Sequence, residues 1–159
     1  MTLSLDRARE FLAARRIAVA GVSRDEKDFS RYLFGELVAR GYDAVPVNPA
    51  LAEVDGRRAF ASLAEVEPPV EAALILTPRS ATEAVVADAL RAGIRRIWLH
   101  RGAGAGSATP GALALCRASG VEPVHDLCPF MVLTGTAFPH RFHGFFRRHL
   151  AHEHPAPQA

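Results

Sequence analysis

An apolar run that ends at a glycine constrains the fold of this chain more than any other feature. Residues 16–24 read Arg-Ile-Ala-Val-Ala-Gly-Val-Ser-Arg, and a polar loop then leads to a helical pattern that starts near Ser30. A strand, a glycine turn and a helix in this order are typical of the first unit of a doubly wound, nucleotide-binding sheet. Gly21 would permit a tight turn and the close approach of a phosphate, which the free N–H groups of the next helix would attract.

The rest of the chain repeats this alternation of strand and helix. Further strands are predicted at 44–47, 72–76 and 96–99, with a weaker one at 122–124, and helices are predicted at 4–15, 30–38, 80–92 and 109–118. Short apolar strands that alternate with helices indicate parallel pairing and right-handed crossovers. The pattern therefore predicts an α/β, Rossmann-like doubly wound fold, with a parallel sheet of about five strands in the order 3-2-1-4-5 and helices on both faces.

Capping and turn residues define the expected element ends. Ser30 and Ser62 are expected N-caps, and Thr109 followed by Pro110 should open the last helix of the sheet region. Residues 51–61 are expected to be irregular apart from a turn at Asp55 and Gly56. We expect one domain over residues 1–150, which includes an amphipathic C-terminal helix at about 137–150, and a disordered tail at 151–159.

Composition narrows the class of protein. The 159 residues are 49% hydrophobic and 23% charged with a net charge of +2, which is ordinary for a soluble domain and predicts no nucleic-acid or membrane partner. There is no apolar run near ~18 residues and no hydrophobic signal core at the N-terminus, so a cytoplasmic location is expected. The two cysteines lack zinc-site spacing, and no metal is predicted. The aromatic face of the C-terminal helix could pack on the domain or form a homodimer.

In such a sheet the ligand lies across the carboxyl ends of the strands. The residues at those ends are Gly21, Val22, Ser23, Asn48, Pro49, Thr77, Pro78, His100, Arg101 and Cys128. The complete Gly-x-Gly-x-x-Gly fingerprint is missing, and strand 2 ends in Asn48 rather than in the acid that would bind the ribose hydroxyls of NAD. NAD is therefore disfavoured. NADP stays possible, because Arg24, Lys27 and Arg31 could hold its extra phosphate.

Four motifs in this pattern carry a family resemblance. They are Gly21-Val22-Ser23, Gly41-Tyr42 leading into Val45-Pro46-Val47-Asn48-Pro49, Ala92-Gly93 leading into Ile97-Trp98-Leu99, and Cys128-Pro129. Over residues 16–129 the chain resembles the small stand-alone CoA-binding domain proteins, relatives of the CoA-binding domain of the succinyl-CoA synthetase α subunit. The resemblance implies a Rossmann-like fold that binds CoA, with its phosphates at the Gly21 loop and at the helix near Ser30. By position it adds Ser30 and Val47 to the residues at the strand ends.

Positive charge near these loops suits such a ligand. CoA carries a pyrophosphate and a 3′-phosphate, and charge-assisted arginine–phosphate contacts are stronger than neutral hydrogen bonds. The charged candidates are Arg24, Lys27 and Arg31 beside the first loop, with Arg79 and Arg101 after strands 3 and 4. The alternative for each is an ordinary solvated surface side chain.

No nucleophile, base and acid occur together in the sequence, so no catalysis is predicted. Synthetases of the related kind need a partner domain with a phosphohistidine and a nucleotide-grasp subunit. The expected function is to bind CoA or an acyl-CoA as a non-catalytic sensor, carrier or regulatory module. The alternatives are an NADP-type binding protein or small reductase, and an interaction protein with a vestigial pocket. Cys128 could react with a ligand thiol or simply be a small buried residue.

Overall fold

The computed structural model describes residues 2–100 and 106–133. The elements in chain order are α1 (Thr2–Leu12), β1 (Arg16–Ala20), α2 (Phe29–Ala39), β2 (Asp43–Val47), β3 (Glu53–Val54), β4 (Arg57–Arg58), a 3₁₀ turn (Leu63–Glu65), β5 (Ala72–Ile75), α3 (Arg79–Arg91), β6 (Arg96–Leu99), α4 (Pro110–Ala118) and a second 3₁₀ turn (Pro129–Met131). The predicted C-terminal helix at 137–150, the predicted tail at 151–159 and the candidate Arg101 lie outside the described residues.

Over residues 2–100 and 106–133, the main sheet is parallel and has four strands, in the order β2-β1-β5-β6. The predicted fifth strand is reduced to one parallel bridge between Val124 and Trp98, in which Val124 N–H donates to Ile97 O (2.9 Å) and Leu99 N–H donates to Val124 O (2.8 Å). The α/β class and the parallel pairing are confirmed. The predicted order 3-2-1-4-5 is wrong, because β5, the third predicted strand, lies beside β1 rather than outside β2.

The outer edge of β2 explains this order. Phe60 N–H donates to Pro46 O (3.0 Å) and Asn48 N–H donates to Phe60 O (2.9 Å), so the chain after β2 covers that edge itself. The free edge of β1 is then the place where β5 can pair. The expectation that residues 51–61 are irregular is also wrong, since they contain the antiparallel hairpin β3–β4. Its turn lies at Asp55 and Gly56 as predicted, and both residues have positive φ (49° and 75°).

Helices cover both faces of the sheet, as predicted. On one face α1 and α2 pack on β1 and β6 through residues such as Phe11, Phe34 and Trp98, which are at most 2% exposed. On the other face α3 and α4 pack through Val86 and Ala112, which are fully buried. Because β1, β2, β5 and β6 are covered on both faces, all their residues are apolar and buried except the charged first residue of β1, β2 and β6.

Two helix starts differ from the sequence prediction. Asp28, not Ser30, caps α2, since its carboxylate accepts from Ser30 N–H at 2.8 Å. Ser62 makes no side-chain cap bond, and the Asp88 carboxylate on α3 instead accepts from Leu63 N–H at 2.7 Å. Thr109 caps α4 as predicted and accepts from Ala112 N–H at 3.0 Å. Within the described ranges, no helix combines the length and the apolar character needed to cross a membrane.

Candidate functional site

Gly21 marks the point where the chain leaves the sheet beside β5. Its φ is 92°, and a Cβ built on it would lie 2.8 Å from Thr77 N and 2.9 Å from Leu76 C. Glycine is therefore required here by the neighbouring backbone, whatever binds above it. After β1 the chain turns to α2 on one face, and after β5 it turns to α3 on the other, so a crevice opens between these strand ends. This is the switch point at which doubly wound sheets bind their ligands.

The loop after Gly21 is held by hydroxyl and carboxylate groups of its own residues. Ser30 Oγ accepts from Ser23 N–H (2.8 Å), Ser23 Oγ accepts from Asp25 N–H (3.1 Å), and Asp25 Oδ1 accepts from Lys27 N–H (2.9 Å). Ser30 is 4% exposed and also donates to the Asp28 carboxylate. The structure thus brings the candidates Ser23 and Ser30 together, with their hydroxyls bonded inside the loop.

Asn48 joins the loop after β1 to the end of β2. Its Nδ2 donates to Val22 O and its Oδ1 accepts from Ala50 N–H, both at 2.8 Å. Both ends of the side-chain amide are therefore bound to backbone. Of its two neighbours in sequence, Val47 is 5% exposed, whereas Pro49 lies at the surface. Nothing in the sequence distinguished this cross-loop bond from a contact with ligand.

The basic candidates near this loop fall into two groups. Arg24 and Lys27 are exposed, and the guanidinium of Arg24 makes one long hydrogen bond to Ala50 O (3.4 Å). Arg31 has a side chain only 11% exposed, pairs with Asp55 and donates to the carbonyls of Ser23 and Arg24. Arg24 and Lys27 can therefore reach a ligand in solution, whereas Arg31 is committed to the protein.

Three backbone amides of the loop have no acceptor among the described residues. No hydrogen bond of the described residues is donated by the N–H of Val22, Arg24 or Glu26. Val22 is fully buried, whereas Arg24 and Glu26 are exposed. An unsatisfied amide near a helix N-terminus is a suitable donor for a phosphate oxygen. The accessible amides of the loop that opens the crevice are therefore those of Arg24 and Glu26.

The opposite wall of the crevice is formed by the chain that enters α3. Thr77 Oγ1 lies 3.1 Å from Thr82 Oγ1, so this hydroxyl is bonded within the turn. Pro78 precedes the helix and makes no side-chain cap bond, and Arg79 opens the helix at an exposed position. The N-terminus of α3 and the loop after β1 therefore stand on the two sides of the β1–β5 crevice.

His100, at the end of β6, is part of an aromatic cluster that the sequence did not predict. Its imidazole is 8% exposed and stacks on the ring of Phe29 with centroids 4.7 Å apart and planes 10° apart. Phe130 contacts Phe29 edge-on at 5.9 Å and lies 5.5 Å from Tyr32. Burial lowers the pKa of His100 to about 4, so the ring is neutral at pH 7. Among the described residues, its buried Nδ1 has no hydrogen-bond partner.

Cys128 lies in the last strand-end loop and is partly buried. Burial raises the pKa of its thiol, so at neutral pH the sulfur is protonated and a poor nucleophile. Cys116 is fully buried in α4, and burial raises the pKa of its thiol to about 11. In residues 2–100 and 106–133, no group of three or more histidine, cysteine or acidic side chains could hold a metal ion.

Comparison with known proteins identifies the family. The family described as CoA binding domain matches residues 15–134. The chain belongs to the CoA binding domain family. The resemblance inferred from the sequence motifs is thereby confirmed, and the match extends over β1 to the second 3₁₀ turn.

Proteins of three organisms are similar to this chain, one in sequence and two in fold. The uncharacterized protein YneT of Bacillus subtilis (strain 168) is 26% identical over 116 residues, which are 72% of this chain and 82% of YneT. A Thermus thermophilus protein of known structure, cell-free ID.343, is 28% identical with a TM-score of 0.69 over 78% of this chain and 92% of its own. A dinucleotide-forming acetyl-coenzyme A synthetase 1 of Ca. Korarchaeum cryptofilum shares the fold at 22% identity and a TM-score of 0.60, over 69% of this chain and 25% of the synthetase.

Proposed function

We propose that this chain binds CoA or an acyl-CoA across the carboxyl ends of β1, β2 and β5, as a non-catalytic sensor, carrier or regulatory module. The observation that carries the proposal is the loop after β1. In a member of the CoA binding domain family, it presents the amides of Arg24 and Glu26, which have no acceptor among the described residues, beside the exposed side chains of Arg24 and Lys27. Such amides and cations suit the pyrophosphate and the 3′-phosphate of CoA.

The bonds of Asn48 support CoA over NAD. A site for NAD presents a carboxylate at the end of the second strand to accept from the ribose hydroxyls. Here that position is an amide whose donor is bound to Val22 O and whose oxygen is bound to Ala50 N–H. It offers the ribose no free carboxylate. NADP, whose extra phosphate could contact Arg24 and Lys27, remains the second candidate ligand.

The state of the titratable groups near the strand ends supports a binding role rather than catalysis. Burial lowers the pKa of His100, so its imidazole is uncharged, and burial raises the pKa of the Cys128 thiol. A nucleophile needs an adjacent base or a lowered pKa. Neither group meets that requirement, and Ser23 Oγ is bonded to the backbone of its own loop.

The first experiment is native mass spectrometry of gently purified protein, followed by titration calorimetry. A mass increment that matches CoA or an acyl-CoA would establish the ligand class and name the acyl group. On empty protein we expect heat of binding with CoA and none with NAD. Binding of NADP but not of CoA would overturn the proposal, and silence with all three would favour an interaction protein with a vestigial pocket.

The exposed cations of the loop provide a matched test of where the ligand lies. Replacing both by glutamine (R24Q and K27Q together) should weaken CoA binding by about tenfold in calorimetry, because two charge-assisted contacts become neutral ones. The control is R91Q, which removes an exposed arginine from the C-terminal end of α3. Equal affinities of the two variants for CoA would show that the phosphates lie elsewhere.

A further inference from the structure

A guanidinium joins the loop after β1 to the hairpin that follows β2. Arg31 NH1 donates to Ser23 O (3.4 Å) and Arg24 O (3.3 Å), while its NH2 pairs with Asp55 Oδ1 at 2.5 Å. The Arg31 side chain is 11% exposed and that of Asp55 is 53% exposed. Asp55 thus holds the buried arginine from the solvent side, although it lies in the β3–β4 turn and 24 residues away in sequence.

The contact between Arg31 and Ser23 O fixes the direction of the N–H group in the same peptide bond. The bond between Ser23 and Arg24 is trans, since the one cis bond of the described residues is Glu67–Pro68. In a trans peptide the C=O and the following N–H point in opposite directions. Because Ser23 O points to the guanidinium of Arg31, the N–H of Arg24 points away from it. That N–H is one of the loop amides without an acceptor among the described residues.

We propose that Arg31 and Asp55 are positioning residues, which turn the Ser23–Arg24 peptide so that its N–H donates to a phosphate of the ligand. This inference rests on the proposed function. It differs from the sequence-based expectation that Arg31 itself contacts the phosphate, because here the arginine acts through the backbone. A fork of N–H donors suits this task, since one guanidinium can serve two carbonyls and a carboxylate at once.

The substitution D55N separates the two roles of Arg31. If Arg31 positions the loop, losing its charged partner should misalign the amide and weaken CoA binding by about tenfold, even though a negative charge has been removed near an anionic ligand. If Arg31 contacts the phosphate directly, D55N should release the guanidinium and leave the affinity unchanged or higher. Titration calorimetry with CoA distinguishes a lower from a higher affinity.

Asp43 provides the control. Its side chain is 50% exposed and, like that of Asp55, pairs with arginine, here Arg16 and Arg57. It lies at the start of β2, at the end of the sheet opposite to the crevice. D43N therefore removes the same charge from a comparable ion pair and should change the dissociation constant for CoA by less than about twofold. Equal weakening by D43N and D55N would overturn the inference, since it would indicate a general effect of charge or stability.

The amide resonance of Arg24 provides a measurement that would not change if Asp55 only stabilised the fold. In ¹⁵N–¹H spectra of the protein, D55N should shift the Arg24 resonance without ligand and abolish the large shift that CoA causes in the wild type. Retention of both wild-type signals in D55N would overturn the inference. A wild-type protein that does not bind CoA would overturn the proposed function and this role with it. A wild type that binds CoA with an unchanged D55N affinity would overturn the positioning role alone.

Discussion

At the scale of single residues, Gly21 shows how one position can serve the fold and the site together. The sequence suggested that glycine is needed for the approach of a phosphate. The structure gives a stronger reason, since the backbone of Leu76 and Thr77 occupies the space of a Cβ. A side chain at this position would therefore disturb the pairing of β1 with β5 as well as the crevice, and substitution at Gly21 cannot isolate ligand binding.

The change G21A tests this reason. We expect it to lower the free energy of unfolding by about 3 kcal/mol, because the new methyl would meet backbone atoms at 2.8–2.9 Å and the φ of 92° is unfavourable for alanine. G41A is the matched control, since Gly41 has a similar φ of 86° and nothing within 4 Å of the added Cβ. It should cost about 1 kcal/mol. Equal urea midpoints for the two variants would contradict the close contact.

At the scale of elements, the end of β6 and the start of α2 meet through His100 and Phe29. The imidazole of this stack is neutral at pH 7, because burial lowers the pKa of His100 to about 4. The unfolded chain, with an imidazole pKa of about 6.5, binds the proton first as the pH falls. The stability that this burial confers is therefore complete above pH 6.5 and is lost progressively toward pH 4.

The variant H100Q removes this titration and gives the measurement. Between pH 7.5 and pH 5 the free energy of unfolding of the wild type should fall by about 2 kcal/mol more than that of H100Q. Urea unfolding at the two pH values, followed by circular dichroism, measures the difference. The carboxylates that titrate in this range are common to both proteins and cancel. The same pH dependence in both proteins would show that His100 does not carry a lowered pKa.

At the scale of the whole molecule, the crevice lies between two halves that pack on opposite faces of one sheet. The loop after β1 leads to α2 on one face, and the loop after β5 leads to α3 on the other. A ligand that bridges these loops binds the folded protein and has no site on the unfolded chain. Folding and binding are therefore linked, and the ligand should stabilise the whole domain.

Thermal unfolding tests this linkage. CoA at about one hundred times its dissociation constant should stabilise the protein by about 2.7 kcal/mol, which corresponds to a rise in Tm of roughly 5–10 °C for a chain of this size. NAD at the same concentration should leave Tm unchanged. Differential scanning calorimetry provides the measurement. The same Tm with and without saturating CoA would contradict binding to the folded state.

Local signals in the sequence determined much of this protein. Apolar strands, glycine ends of helices and the Thr109-Pro110 helix start act over a few residues, so they predicted the helices, the four strands of the main sheet and the α/β class, but not the β3–β4 hairpin. Short motifs placed the chain in its family. Only the tertiary structure decided which strands are neighbours, because the chain after β2 covers the outer edge of that strand. It also decided which polar groups face the crevice. Asn48, Ser30 and Arg31 have partners on other elements or across the loop, and composition and spacing carry no information about contacts between residues that are distant along the chain.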